Sequence, residues 1–361
     1  MKKVAFFVND LNSGGIENYL LRFLQYYDGK IIPIVICKSG EFGHLEEKYR
    51  AIDQISLVKL KIGYLDFKAY LNLFKYLKQL NPDTVVDFTG NFAGFPLLVS
   101  KSAKISNRIV FYRGATNHFK ESYFKKRYND FLNLLIQKNA TRILSNSKAA
   151  LKFFFSNQED SRFEVIYNGI DAETFLKSRQ DLRNELGIPS TGFVVSHIGR
   201  YTEAKNHKTI IEVAVELCRK NKDIYFIMCG KDVDTTYSKR VVDEKLQNQI
   251  KTLGYRTDVV NILNTSNLFY FPSLTEGQPN ALLEALIAGL PFVASDIDPI
   301  KETIPAELHY LLVKPNDVSG AVKLIEQIVD DQVLQMKLDL SLWAKKNYSH
   351  QELFDKFYNK L

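Results

Sequence analysis

The sequence predicts an α/β chain of two Rossmann-like domains, each built on a parallel sheet, facing across a cleft. Two observations carry this. Short apolar runs alternate with helical periodicities along most of the chain, a pattern that breaks at Asn168-Gly169-Ile170-Asp171 and restarts near residue 193. The 361 residues also exceed what a single core comfortably holds.

The first series opens with a buried strand over 4–8, a turn-rich loop over 9–15, a helix over 16–27 and a second strand over 31–37. Ile16, Tyr19, Leu20, Phe23 and Leu24 share one face of that helix. Strands follow at 55–60, 84–88, 108–112, 141–145 and 163–166, with helices at 67–80, 119–138 and 147–155. Gly90, Gly94 and Pro96 interrupt the segment after the strand at 84–88. The second series places strands at 193–198, 224–229, 267–271, 292–295 and 309–313, and helices at 208–220 and 241–253. The tail over 318–361 reads as helical, with a break near Asn347-Tyr348-Ser349.

Bulk properties narrow the class. A net charge of +7 suits an acidic partner: a nucleotide, a phosphate-bearing lipid, an anionic membrane surface or nucleic acid. Cys37, Cys218 and Cys229 lie in apolar runs without metal spacing, as small core residues in a reducing compartment do. The first apolar run is too short for a signal peptide and there is no 18-residue apolar span, so a cytoplasmic location is expected, with any membrane met at its surface. The stretch 119–127 mixes Phe119, Tyr123 and Phe124 with Lys120, Lys125, Lys126 and Arg127. It reads as a solvated helix face or as a basic-aromatic edge for anionic lipid.

The stretch 272–286 is the most informative. Pro272 ends a strand, and Pro279 suits the first turn of a helix because its missing N–H would have no partner there. Leu282, Leu283, Leu286 and Ile287 take the packed side, and Gly289 and Pro291 stop the helix. Glu284 falls among these apolar residues, where an unpaired carboxylate is costly; ligand hydroxyls or a basic side chain would satisfy it. Glu276 precedes the helix, whose first N–H groups and dipole favour an anion near Gly277, Gln278, Asn280 and Ala281. At the end of the strand over 193–198, Gly199-Arg200 with Lys205 offers a guanidinium fork and a point charge, which suit a diphosphate or are simply solvated cations. His207 is most simply a helix N-terminal residue. Gly14-Gly15 is no dinucleotide fingerprint, and is a turn or a place of close ligand approach.

Together, Gly14-Gly15, Gly199-Arg200 with Lys205, and Glu276-Gly277-Gln278-Pro279-Asn280-Ala281-Leu282-Leu283-Glu284-Ala285 followed by Gly289-Leu290-Pro291 resemble the retaining, metal-independent GT-B glycosyltransferases of group 1, family 4. The resemblance covers nearly the whole chain. It implies an acceptor domain over 1–168 joined by a crossover helix over 347–361, and a donor domain over 169–346. It implies that Arg200 and Lys205 hold the donor diphosphate, that Glu276 contacts the transferred sugar and that Glu284 accepts from the ribose hydroxyls. Gly277, Gln278, Pro279, Asn280 and Ala281 would line sugar or phosphate, with the base near Lys231 and Arg256. Gly14 and Gly15 would line the acceptor side, where Arg113 or His118 takes the place of the family's cleft histidine. No cofactor and no metal are expected; Asp232-Val233-Asp234 mimics a D-x-D metal motif that belongs to another fold. The expected partners are a nucleotide-sugar donor, a polyprenyl-diphosphate-linked glycan acceptor and an anionic membrane, not nucleic acid. A sugar-nucleotide 2-epimerase of the same architecture and a non-catalytic nucleotide-sugar-binding scaffold are the alternatives.

Overall fold

The structure, a computed structural model, describes residues 1–12, 14–63, 66–114, 122–155, 160–177, 179–330 and 339–361. The chain forms two units, Met1–Asn168 with Leu353–Leu361, and Gly169–Glu352.

The first unit holds a seven-stranded parallel sheet: β1 Lys2–Val8, β2 Ile31–Cys37, β3 Ser56–Lys59, β4 Thr84–Asp87, β5 Asn107–Tyr112, β6 Arg142–Ser145 and β7 Phe163–Val165. Their order is β3-β2-β1-β4-β5-β6-β7, so the direction of winding reverses between β1 and β4. The period-two alternation of β1 divides its side chains between two cores. Val4, Phe6 and Val8 pack with Tyr19, Phe23, Phe354 and Phe357, while Ala5 and Phe7 join Leu73, Leu77, Leu97 and Ile136 on the other face.

The final residues are fastened to the first sheet. The Thr84 hydroxyl donates to the Leu361 carbonyl (3.0 Å), Asn107 Nδ2 donates to the Lys360 carbonyl (2.7 Å), and Lys360 pairs with Glu164 at 2.7 Å. Tyr27 donates to the Asp355 carboxylate.

The second unit holds a six-stranded parallel sheet of β8 Phe193–Ile198, β9 Ile224–Cys229, β10 Ile250–Leu253, β11 Leu268–Phe271, β12 Phe292–Ser295 and β13 Leu312–Val313, ordered β10-β9-β8-β11-β12-β13. The junction and the break in the tail meet here. Ile170 N–H donates to the Tyr348 carbonyl (3.1 Å), and Gly169 lies so close to His350 that a Cβ would collide with its backbone.

Three local readings need correction. The segment 241–253 is not a helix: the helix spans Val233–Asp243, and Ile250–Leu253 is an edge strand paired with β9. Lys245 adopts the left-handed conformation (φ 58°), and the bonds Lys245 N–H to Val242 O (2.9 Å) and Leu246 N–H to Val241 O (3.0 Å) complete a Schellman stop. A lysine hides a stop that glycine would announce. The strand over 309–313 shortens to Leu312–Val313, because Ala306–Leu311 is a 3₁₀ turn. Pro279 does not occupy the first helical turn; it caps the helix Asn280–Ile287 from outside.

Among the described residues no helix is long and apolar enough to cross a membrane. The three cysteines are buried thiols, and burial pushes Cys37 and Cys218 up to about 12 and Cys229 to about 11.

Candidate functional site

The expected donor residues of the second unit gather at the carboxyl ends of β8, β9 and β11, where ligands bind in open parallel sheets. The pairing of β8 with β9 continues past both strands. Gly199 N–H donates to the Cys229 carbonyl (2.8 Å) and Tyr201 N–H to the Lys231 carbonyl (2.8 Å), so exposed Arg200 and exposed Lys231 emerge side by side. Gly230 permits this approach, since a Cβ there would fall on the Gly199 carbonyl. Arg200 forms no ion pair among the described residues.

Lys205 is set by its neighbour. Asn206 takes the left-handed conformation (φ 56°), and its buried Nδ2 donates to the carbonyls of Pro272 (3.1 Å) and Pro315 (2.7 Å). Its Oδ1 accepts from the Thr209 hydroxyl (3.0 Å). Leu274 N–H reaches the Ala204 carbonyl (2.8 Å), and the Ser295 hydroxyl holds the Ser273 carbonyl (2.7 Å). These bonds bring the loop after β8 against the loop after β11. The result is an ion pair of 2.6 Å between Lys205 Nζ and Glu276 Oε1, with Lys205 also 4.7 Å over the Phe271 ring. Glu276 is 11% exposed, so little solvent screens the pair.

The helix after Glu276 is not apolar all round, as its sequence suggested. Leu282, Leu283, Ala285, Leu286 and Ile287 are buried, but Asn280, Ala281, Glu284 and Ala288 form a half-exposed stripe. Glu284 therefore sits on the open face of a packed helix. Gln278 is buried, and Asn280 N–H is already bonded to the Gln278 carbonyl (3.0 Å), so it does not join an anion cradle. Arg256 is engaged elsewhere, by Asp258 (2.7 Å) and Glu185 (2.8 Å), which raise its affinity for its proton.

Two histidines carry roles that sequence reasoning missed. His207 does begin a helix, and its Nε2–H also donates to the Gly199 carbonyl (3.1 Å). His197, fully buried, donates from Nδ1 to the Tyr270 carbonyl (3.0 Å), and the two rings lie 5.0 Å apart. Carbonyls only accept, which fixes both tautomers. Burial pushes both imidazoles below their ordinary range, so they are neutral props beneath the Gly199-Arg200 turn. The placement of His197 on an apolar strand was the only available signal.

In the first unit, Gly14 caps the helix Gly15–Tyr26 with extended backbone, and the space beside Gly15 is open. Arg113 directly follows β5 and stacks on Tyr19, its guanidinium carbon 3.7 Å from the ring centroid. His118 lies outside the described residues, as do 119–121 of the basic-aromatic stretch. The helix Tyr123–Asn139 starts at Ser122, and residues 122–127 are all exposed, Tyr123 by 73% and Phe124 by 83%. Among the described residues no cluster of His, Cys, Asp or Glu could hold a metal ion.

Both halves of the chain resemble known proteins. The family described as Glycosyl transferases group 1 matches residues 178–345, and Glycosyltransferase Family 4 matches 13–174. The chain is 27% identical to an Escherichia coli UDP-Gal:alpha-D-GlcNAc-diphosphoundecaprenol alpha-1,3-galactosyltransferase, over 89% of this chain and 86% of that one. It is 29% identical to the capsular polysaccharide biosynthesis glycosyltransferase CapH of Staphylococcus aureus, over 79% of each. A Campylobacter jejuni N-acetylgalactosaminyltransferase whose name specifies a diphospho-undecaprenol acceptor is 24% identical across 99% of this chain and 96% of its own. Among solved structures, Anabaena Alr3699/HepE in complex with UDP and glucose superposes with a TM-score of 0.81 at 18% identity, covering 99% of both chains. A Rickettsia africae glycosyltransferase does so with 0.81 at 20%, over 99% of this chain and 97% of that one. The chain belongs to the group 1, family 4 glycosyltransferases and has their GT-B fold.

Proposed function

We propose that the protein moves a sugar from a nucleotide-diphosphate donor, with retention and without metal, onto a polyprenyl-diphosphate-linked glycan during surface polysaccharide assembly. The observation that carries the donor half is the Lys205–Glu276 pair at 2.6 Å beside Arg200, at the carboxyl edge of the second sheet. A cation already held by a carboxylate is fixed in direction before any ligand arrives. Lys205 and Arg200 neutralise the diphosphate and stabilise the charge that grows on it as the glycosidic bond breaks, which is the role a metal would otherwise fill. Glu276 contacts the sugar, and Glu284, on its open helix stripe, accepts from the ribose hydroxyls. The acceptor proton passes to the departing phosphate on the same face, so no covalent nucleophile is required.

The acceptor half is supported by the names of the Escherichia coli and Campylobacter jejuni relatives. The exposed Tyr123 and Phe124 beside Lys125, Lys126 and Arg127 support a peripheral contact with anionic membrane on the cytoplasmic side.

A thermal-shift panel of nucleoside diphosphates and nucleotide sugars in EDTA tests this reading on wild type and Glu284→Ala. Ligand at 100 times its Kd adds about 2.7 kcal/mol, several degrees in domains of this size. One nucleotide series shifting the wild type but not the variant supports the donor site. Shifts seen only with Mg²⁺ or Mn²⁺ contradict it. Acceptor-dependent release of nucleoside diphosphate separates transfer from epimerisation and from mere binding.

A further inference from the structure

The first unit carries a charge arrangement that nothing described so far satisfies. The sheet reverses winding between β1 and β4, the place where open parallel sheets bind ligands. The helix Gly15–Tyr26 follows β1 and Arg113 follows β5, so they flank that reversal. There the Arg113 guanidinium meets Tyr19, and Arg22, one helical turn after Tyr19, is near enough for its charge to act on both. The Arg113 guanidinium carbon lies over the Tyr19 ring, 3.7 Å from its centroid, and 4.9 Å from that of Phe111. Among the described residues Arg113 Nη1, Arg22 Nε and the Tyr19 O–H are each buried without an acceptor, although the Arg113 guanidinium lies close enough to the Tyr19 oxygen to donate to it. Neither arginine forms an ion pair among the described residues, although the Glu17 carboxylate lies near enough to act on Arg113.

Three buried donors without acceptors, on a tyrosine and on two cations that repel each other, are costly for the fold. Burial and the Arg22 charge push Arg113 down to about 10, while burial pushes Tyr19 up to about 12 against the pull of Arg113. The same arrangement is complementary to one ligand class. An oxyanion would satisfy all three donors and neutralise both guanidinium groups. Both arginines are half-exposed, so a ligand can reach them, and stacking on Tyr19 holds one fork in place beforehand.

We propose that Arg113, Arg22 and Tyr19 form an oxyanion site in the first unit that takes a diphosphate group. That this group belongs to the lipid-linked acceptor rests on the proposed function above; the site itself does not.

Calorimetric titration with inorganic diphosphate tests the site. Lys205→Gln serves as the background, because it disables the other candidate diphosphate site. This variant should still bind one diphosphate. Adding Arg113→Gln or Arg22→Gln should weaken that binding at least tenfold, and Arg113→Lys, which keeps charge but not the fork or the stack, should restore only part of it. Circular dichroism checks folding; should Arg113→Gln fail to fold, the half-exposed Arg22→Gln decides alone. Loss of all diphosphate binding in Lys205→Gln, or arginine variants that bind as their background does, would overturn the site. The source is read separately, with Lys205 intact. Arg113→Gln and Arg22→Gln should raise KM for a polyprenyl-diphosphate acceptor and leave donor KM unchanged. Weakened diphosphate binding with unchanged acceptor KM would overturn the assignment to the acceptor. Binding of inorganic diphosphate needs no transfer to occur, so the site and the acceptor reading fail independently.

Discussion

The two units solve one electrostatic problem in opposite ways. In the second, the cation at the sheet's carboxyl edge is compensated: Lys205 already holds Glu276 at 2.6 Å, over the ring of Phe271. In the first, Arg113 and Arg22 form no ion pair among the described residues, and the Tyr19 O–H finds no acceptor there. A paired cation is oriented but shares its charge, so it suits a ligand that brings both a diphosphate for the lysine and hydroxyls for the glutamate. An unpaired, half-buried cation pair suits a ligand that is anionic and little else. The contrast separates recognition of a nucleotide sugar from recognition of a bare phosphate group.

The contrast can be broken most severely at Lys205. Lys205→Gln should lower kcat by about 10²–10³-fold, the range for loss of one fixed donor to a developing oxyanion. It also leaves Glu276 without its cation at 11% exposure, so the variant should melt at a lower temperature than wild type. Glu276→Gln, which leaves Lys205 free like the arginines of the first unit, should be less damaging to inorganic diphosphate binding than to sugar transfer.

A second test concerns the histidine props. His197 and His207 are neutral in the fold and held below the ordinary histidine range by burial, so the unfolded chain binds more protons than the folded one. Stability should therefore be complete above the unfolded value of about 6.5 and fall as the pH drops below it. In His207→Phe the loss of Tm between pH 7.5 and 5 should shrink, and at pH 7.5 the variant should show a higher donor KM, because the Gly199 carbonyl that carries the Arg200 turn loses its donor. An unchanged pH profile would mean that these rings do not titrate with unfolding.

The smallest expected effect is in the first unit's closing contact. Tyr27→Phe removes a hydrogen bond from a buried tyrosine to an exposed carboxylate, worth about 1.5–3 kcal/mol at most. A lower Tm with unchanged kcat is expected by calorimetry and assay.

Much of this was legible in the sequence because the information is local. The strands Ile31–Cys37, Phe193–Ile198, Ile224–Cys229 and Phe292–Ser295 are apolar runs that need no partner to be recognised. The stretch from Glu276 to Glu284 keeps its chemistry within one turn and one helix. What was illegible was non-local or disguised. Lys245 in the left-handed conformation ended a helix without glycine, and the edge strand Ile250–Leu253 exposes Lys251 and Thr252 enough to blur its alternation. The half-exposed stripe through Glu284 depends on which neighbours stop short of it. The meeting of Tyr19, Arg22 and Arg113 depends on a sheet order that no spacing encodes, although the sequence resemblance puts Arg113 or His118 on the acceptor side.

The most direct test of the whole account is a transfer assay in EDTA. It combines the nucleotide sugar selected by thermal shift with a polyprenyl-diphosphate-linked acceptor and compares wild type with Lys205→Gln. The account predicts nucleoside diphosphate released in step with product, only when acceptor is present, at a rate EDTA does not alter and Lys205→Gln reduces by about two orders of magnitude or more. Release that stops in EDTA and returns with Mg²⁺, or that proceeds equally well in Lys205→Gln, would contradict it.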